Sequence, residues 1–179
     1  MIRGPSSTLI VGPSGCGKTA LTEALLTEGT VFQGPTRPCH YCYGVVWQPR
    51  FETMKQHRVR FHEGLPDTPD LQRWYGPTQG GVLVLDDLME EAGHDKHVLD
   101  LFTKESHHRV ILYLCQDLFP PGRFAKTISR NAHYVIAFKN PRDQMGLQTL
   151  LLQAFPDRWK PILRLFDECT QRQIGRAHV

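Results

Sequence analysis

Eight consecutive residues, Gly12-Pro13-Ser14-Gly15-Cys16-Gly17-Lys18-Thr19, match the phosphate-binding pattern G-x-x-x-x-G-K-[ST] without a gap. The glycines permit a tight backbone turn that brings N–H groups close to phosphate oxygens. Lys18 offers a positive charge to the β- and γ-phosphates of a nucleotide, and the Thr19 hydroxyl is a ligand for Mg²⁺. A second signal is Asp86-Asp87, which ends the apolar run Val82-Leu83-Val84-Leu85. A carboxylate at the tip of a buried strand is expensive unless a cation sits beside it. Asp86 is therefore the second Mg²⁺ candidate, and Asp87 the group that positions or activates water. A third signal is Gln116, directly after the apolar run Val110-Ile111-Leu112-Tyr113-Leu114-Cys115. An amide at such a strand tip can lie beside a γ-phosphate and report its presence.

These residues need strands to carry them and a helix to back the loop. Thr8-Leu9-Ile10-Val11 leads into the loop, and the residues from Lys18 onward carry Ala and Leu at helical spacing. A helix N-terminus behind the loop adds positive partial charge. Strands are expected over residues 7–11, 41–47, 59–62, 82–85, 110–115 and 133–138. Helices are expected over 49–57, around Leu71 and Trp74 with a cap in 67–70, and over 95–104. Two closing helices, 142–154 and 157–170, part at Pro156. Apolar β-rich runs that alternate with helical patterns predict an α/β fold with a mainly parallel central sheet sandwiched between helices. With the loop pattern, the expected class is a P-loop NTPase that uses ATP and Mg²⁺.

The chain has 179 residues and 40% hydrophobic content, which suits one globular domain. That domain is expected over residues 1–175, with 176–179 as a tail. The first strand begins almost at once, so no N-terminal domain is expected before it. The net charge of +3 and pI near 8.6 permit a nucleic-acid partner without demanding one. No apolar run reaches the roughly 18 residues of a membrane span, and the N-terminal apolar stretch is too short for a signal peptide. No membrane partner is expected, and the location is expected to be intracellular. Five widely spaced cysteines, Cys16, Cys39, Cys42, Cys115 and Cys169, argue against a disulfide framework. Cys39-His40-Tyr41-Cys42 has the spacing of a metal or redox site, with His107-His108 as the conspicuous second ligand pair. A strand through 39–47 would send the two cysteines to opposite faces, which favours packing over metal binding.

ATP hydrolysis draws on a cation at the transferring phosphoryl group, often from a neighbouring subunit. Arg123, Arg130 and Arg142 follow the Gln116 strand and are the candidates; each also reads as a solvated surface charge. Other runs are more distinctive. They are Gln116-Asp117-Leu118-Phe119, Gly122-Arg123, Thr127-Ile128-Ser129-Arg130-Asn131-Ala132, Tyr134 and Phe138-Lys139-Asn140-Pro141-Arg142-Asp143. Phe61-His62-Glu63-Gly64-Leu65-Pro66, Asp86-Asp87-Leu88-Met89 and Ser106-His107-His108 join them. Together they resemble the packaging ATPases of Maverick/Polinton elements and adintovirus-like viruses. Those belong with poxvirus-type DNA packaging ATPases in the FtsK–HerA superfamily.

The resemblance covers roughly residues 8–170, and its most specific stretches are 116–119 and 138–143. It implies an ATP-driven motor that moves double-stranded DNA into a capsid. It further implies a homo-oligomeric ring, capsid proteins as partners, and a place in the host cell or on the virion. In a ring, one subunit completes the site of the next; Arg130 is the first choice for the residue supplied in trans, and Arg123 the second. Members of that family continue into a further strand after the final helix. Here the chain ends soon after Gln173-Ile174-Gly175, and residues 176–179 do not resemble family sequence.

Two other catalytic classes share the loop. A nucleotide kinase uses the same G-P-S-G-x-G-K style, but it needs an acceptor-binding region and an Arg-rich lid, and neither is legible in the chain. A GTP-dependent switch needs an Asn-Lys-x-Asp motif, and none occurs. A non-catalytic nucleotide-binding module is the remaining alternative.

Overall fold

Two uninterrupted apolar runs set the centre of the molecule. In the computed structural model, which describes residues 4–28, 38–44, 47–76, 80–119 and 122–174, both are strands with every residue buried. The strands, in chain order, are β1 (Ser6–Val11), β2 (Cys39–Tyr43), β3 (Val59–Glu63), β4 (Val82–Asp86), β5 (Val110–Cys115) and β6 (Tyr134–Ala137). They form one six-stranded sheet in the order β3-β2-β4-β5-β1-β6, and every pair is parallel. Continuous hydrophobic runs suit β4 and β5 because helices cover both faces of a parallel sheet.

The helices are α1 (Lys18–Thr27), α2 (Arg50–Gln56), α3 (Thr68–Tyr75), α4 (Met89–Ala92), α5 (Lys96–Thr103), α6 (Ala125–Arg130), α7 (Gln144–Ala154) and α8 (Trp159–Ile174). Alternate residues along each strand divide between two cores. Ile10, Val84, Leu112 and Leu114 face Leu25 of α1 and Phe51 and Met54 of α2. Leu9, Leu83, Leu85, Ile111 and Tyr113 face Leu71 and Tyr75 of α3, Val98, Leu101 and Phe102 of α5, and Ile128 of α6. The result is the expected α/β sandwich.

Capping sets several boundaries. Asp67 accepts from the Asp70 backbone N–H at 2.7 Å and Asp70 returns the bond to the Asp67 N–H, a reciprocal cap for α3. Asp95 caps α5 through the His97 N–H at 2.6 Å, and Asp143 caps α7 through the Gly146 N–H at 2.8 Å.

Several expectations change. The strand expected over 41–47 is described over Cys39–Tyr43; Gly44 after it packs against the turn after β4, and residues 45–46 lie outside the described residues. Three short elements had no periodicity long enough to reveal them: α4, the 3-10 turn Glu105–His107, and α6. The segment holding Arg130 is thus helical at its end. Cys39 and Cys42 lie in the two opposite cores, as strand alternation requires. Burial pushes both thiols up to about 12, which suits packing rather than a thiolate ligand. Residues 175–179, which include the expected tail, lie outside the described residues. Among the described residues, no helix is long and apolar enough to cross a membrane.

Candidate functional site

The sheet order decides which side chains meet. β5 lies between β1 and β4, with Val11 paired to Cys115 and Asp86 paired to Leu114. The loop after β1, Gln116 after β5, and Asp86-Asp87 at the end of β4 therefore open at one edge, along three adjacent strands. They share a cleft of about 320 Å³ whose lining includes Ser14, Lys18, Thr19, Asp86, Asp87 and Gln116. Ligands of open parallel sheets bind at this carboxyl end of the strands.

The 12–19 loop is fixed from both sides. The Gly12 N–H donates to the Cys115 carbonyl at 3.1 Å and the Cys16 N–H to the Pro13 carbonyl at 3.3 Å. Gly17 has φ 105°, a left-handed conformation that L side chains rarely adopt, and serves as the N-cap of α1 without a capping side chain. No acid stands in the first turn of α1. The N–H groups of that turn, with the dipole behind them, suit an anion. Lys18 lies across the loop, its Nζ donating to the carbonyls of Gly12 at 2.6 Å and Pro13 at 3.1 Å.

The two acids differ although they are neighbours. Asp86 is only 5% exposed. Its carboxylate accepts from the Tyr41 hydroxyl at 2.6 Å and is also hydrogen-bonded by Thr19. Burial raises its pKa most, the Asp87 charge adds to that, and the Tyr41 and Thr19 hydrogen bonds with the Lys18 charge oppose it. Asp87 is exposed and has φ 56°, a left-handed backbone that aspartate tolerates better than most residues. Gly44 holds this turn. Its N–H donates to the Asp86 carbonyl at 3.0 Å, and a Cβ there would strike the Asp87 carbonyl.

The donor set fits a divalent cation of the hard, oxygen-loving type. Thr19 supplies a hydroxyl and Asp86 a desolvated carboxylate already joined to it, the two groups expected to hold Mg²⁺. Asp87, one residue on, faces the open cleft and is free of that hydrogen-bonded pair.

Two residues of the site had no sequence signal of function. In sequence Tyr41 reads as part of an aromatic strand; its place at the site depends on the β2–β4 register, which sets Tyr41 beside Val84 and brings its ring tip to Asp86. Arg50 lines the cleft from the start of α2. Arg123, Arg130 and Arg142 do not line it. Arg130 is exposed at the end of α6 and Arg142 in the turn after β6. A second cavity of about 160 Å³ has Gly12, Gln116, Phe138, Asn140 and Leu147 in its lining.

Comparison of the chain with protein-family models and with curated proteins gives no match.

Proposed function

We propose that this protein is a P-loop ATPase, and that it drives double-stranded DNA as a packaging motor. The observation that carries the ATPase reading is the convergence of the 12–19 loop, Asp86-Asp87 and Gln116 on one cleft. The DNA and the ring rest on the sequence resemblance, to which the mildly basic charge is favourable.

In this reading the loop N–H groups and the α1 N-terminus cradle the phosphates. Lys18 exchanges its two carbonyl partners for β- and γ-phosphate oxygens. Thr19 and Asp86 hold Mg²⁺, which neutralises charge on the phosphates when bound. Asp87 accepts the proton of the attacking water as it adds to the terminal phosphorus, and the bond from that phosphorus to the β-phosphate oxygen breaks to release the diphosphate. Gln116, between the loop and the acids, faces the terminal phosphate. This amide between loop and acids favours water as the acceptor over a small-molecule hydroxyl. Arg130 acts on a neighbouring subunit, which is why its distance from its own cleft is compatible with the role.

Phosphate release measured with and without double-stranded DNA tests the reading. Turnover by the wild type, a rise on adding DNA, and loss of both nucleotide binding and turnover in Lys18→Ala are the expected results. Unchanged affinity and turnover in Lys18→Ala would sink the phosphate site. Turnover indifferent to DNA would remove the motor and leave the ATPase.

A further inference from the structure

Three described helices begin with a cation, α5 with Lys96 and two others beside the candidate site. One is α1, which opens on Lys18. The other is α2, which opens on Arg50. Both first residues line the same cleft, and Arg50 is the only arginine that does so among the described residues. Two positive charges at one open cleft suit an anionic ligand.

Arg50 has a partner of its own. Its Nη1 donates to Glu23 Oε2 at 2.7 Å. The Glu23 side chain is 17% exposed and the Arg50 side chain 55%, so the acid is the enclosed member and the guanidinium the one open to solvent. Glu23 follows Thr19 by four residues, about one turn of α1 or roughly 6 Å further along its axis. The guanidinium is thus anchored one helical turn from the hydroxyl assigned to Mg²⁺. An exposed ion pair is easily exchanged for a stronger anion. A phosphoryl group is such an anion, since it accepts two parallel N–H bonds from the guanidinium fork.

We propose that Arg50 is the second phosphate-binding cation of this site, held on Glu23 and transferred to the terminal phosphoryl group of a bound nucleoside triphosphate. The assignment rests on the phosphate-site reading above and adds to it an arginine supplied by the same chain. Glu23 is its positioning residue. It keeps the guanidinium beside the cleft and competes with the phosphate for it. A diphosphate lacks the group that Arg50 reaches, so Arg50 distinguishes triphosphate from diphosphate.

The test is the binding of fluorescent ATP and ADP analogues with Mg²⁺ to wild type, Lys18→Ala, Arg50→Ala, Arg50→Lys and Glu23→Gln, with melting curves for each. Arg50→Ala should weaken the triphosphate about tenfold to a hundredfold, as expected for a lost charge-assisted hydrogen-bonded pair. The diphosphate should change less than about twofold. Arg50→Lys should recover part of the loss, because an ammonium supplies the charge without the fork. Glu23→Gln should tighten the triphosphate by up to about fivefold, the scale of an exposed ion pair.

Equal weakening of both nucleotides in Arg50→Ala, or no weakening of either, overturns the proposal when Lys18→Ala still loses binding. Weaker triphosphate binding in Glu23→Gln overturns the competition assigned to Glu23. If wild type and Lys18→Ala bind alike, or neither binds, the underlying phosphate site falls and Arg50 falls with it.

Discussion

The inner and outer strands of this sheet are built differently. β4 and β5 are largely aliphatic, β1 is so in its second half, and all three lead at their carboxyl ends into the loop, Asp86 and Gln116. β2 and β3, at one edge, are aromatic and carry polar groups in their interior. His40 is fully buried, its Nδ1 lies 2.8 Å from His62 Nε2, and Trp74 stacks on both rings. Nearby, Tyr41, Phe51 and Phe61 pack ring against ring. The inner half gathers the candidate site at its rim. The outer half supplies support: Tyr41 steadies Asp86, Gly44 makes room for the Asp87 turn, and α2 delivers Arg50.

If this division is right, changes at the inner rim should act on the reaction with little effect on folding, while changes in the outer half should act first on stability. The sharpest case is Asp87→Asn. Asp87 is exposed, so the amide fits without loss of packing. Removal of a proton acceptor in the transition state should lower turnover by about 10²–10⁴-fold. Nucleotide affinity and melting temperature should stay close to wild type. Single-turnover assays at saturating ATP and Mg²⁺ check this, and full turnover in the variant would take the base role from Asp87.

That asymmetry also decided what the sequence could reveal. The 12–19 loop and the Asp86-Asp87 pair are local: spacing along a few residues carries their chemistry, and strand periodicity places them at tips. The parallel sheet was legible for the same reason, since β4 and β5 are unbroken apolar runs. Tyr41 and Arg50 were not legible. Their positions at the site follow from strand register and from the packing of α2 on α1, both of which join residues far apart in the chain. The arginines of the 123–142 region drew attention by following Gln116 in sequence, yet nearness in the chain did not bring them to the cleft. The strand expected to run to Trp47 is described only to Tyr43, after which Gly44 packs on the Asp87 carbonyl, a contact across 43 positions that no propensity encodes.

The outer half should show itself in acid. Burial lowers the His40 pKa from 6.5 to about 4, with the neighbouring His62 and Arg60 charges in support. His62 is lowered too, chiefly by burial. An unfolded imidazole binds a proton below about 6.5 while folded His40 stays neutral down to about 4. The stability present above that value is therefore lost as the pH falls toward 4. For His40 alone the loss between pH 7 and pH 5 is about 2 kcal/mol. His40→Asn removes that titration. Whatever the variant costs at pH 7, its stability should fall less than that of wild type on going to pH 5. Denaturant unfolding at both pH values measures the two slopes, and parallel slopes would mean that His40 accepts a proton in the folded protein.

The smallest effect is expected where the two halves touch. Tyr41→Phe deletes the hydroxyl that donates to Asp86 and leaves the ring among Phe51 and Phe61. Asp86 keeps Thr19 and borders an open cleft from which water can replace the lost donor, so the stability cost should be about 1 kcal/mol. The chemical effect is more telling. The Tyr41 hydrogen bond lowers the Asp86 pKa against the rise caused by burial. Without it the carboxyl is harder to ionise, and a protonated Asp86 holds Mg²⁺ poorly. The acid limb of the turnover profile should therefore move to higher pH in Tyr41→Phe, and the Mg²⁺ concentration for half-maximal rate at pH 7 should rise a few-fold. Nucleotide binding without Mg²⁺ should not change, because Tyr41 does not line the cleft. A profile identical to wild type, in a variant with the expected small loss of stability, would show that Tyr41 supports the fold alone and that the outer half stops short of the chemistry.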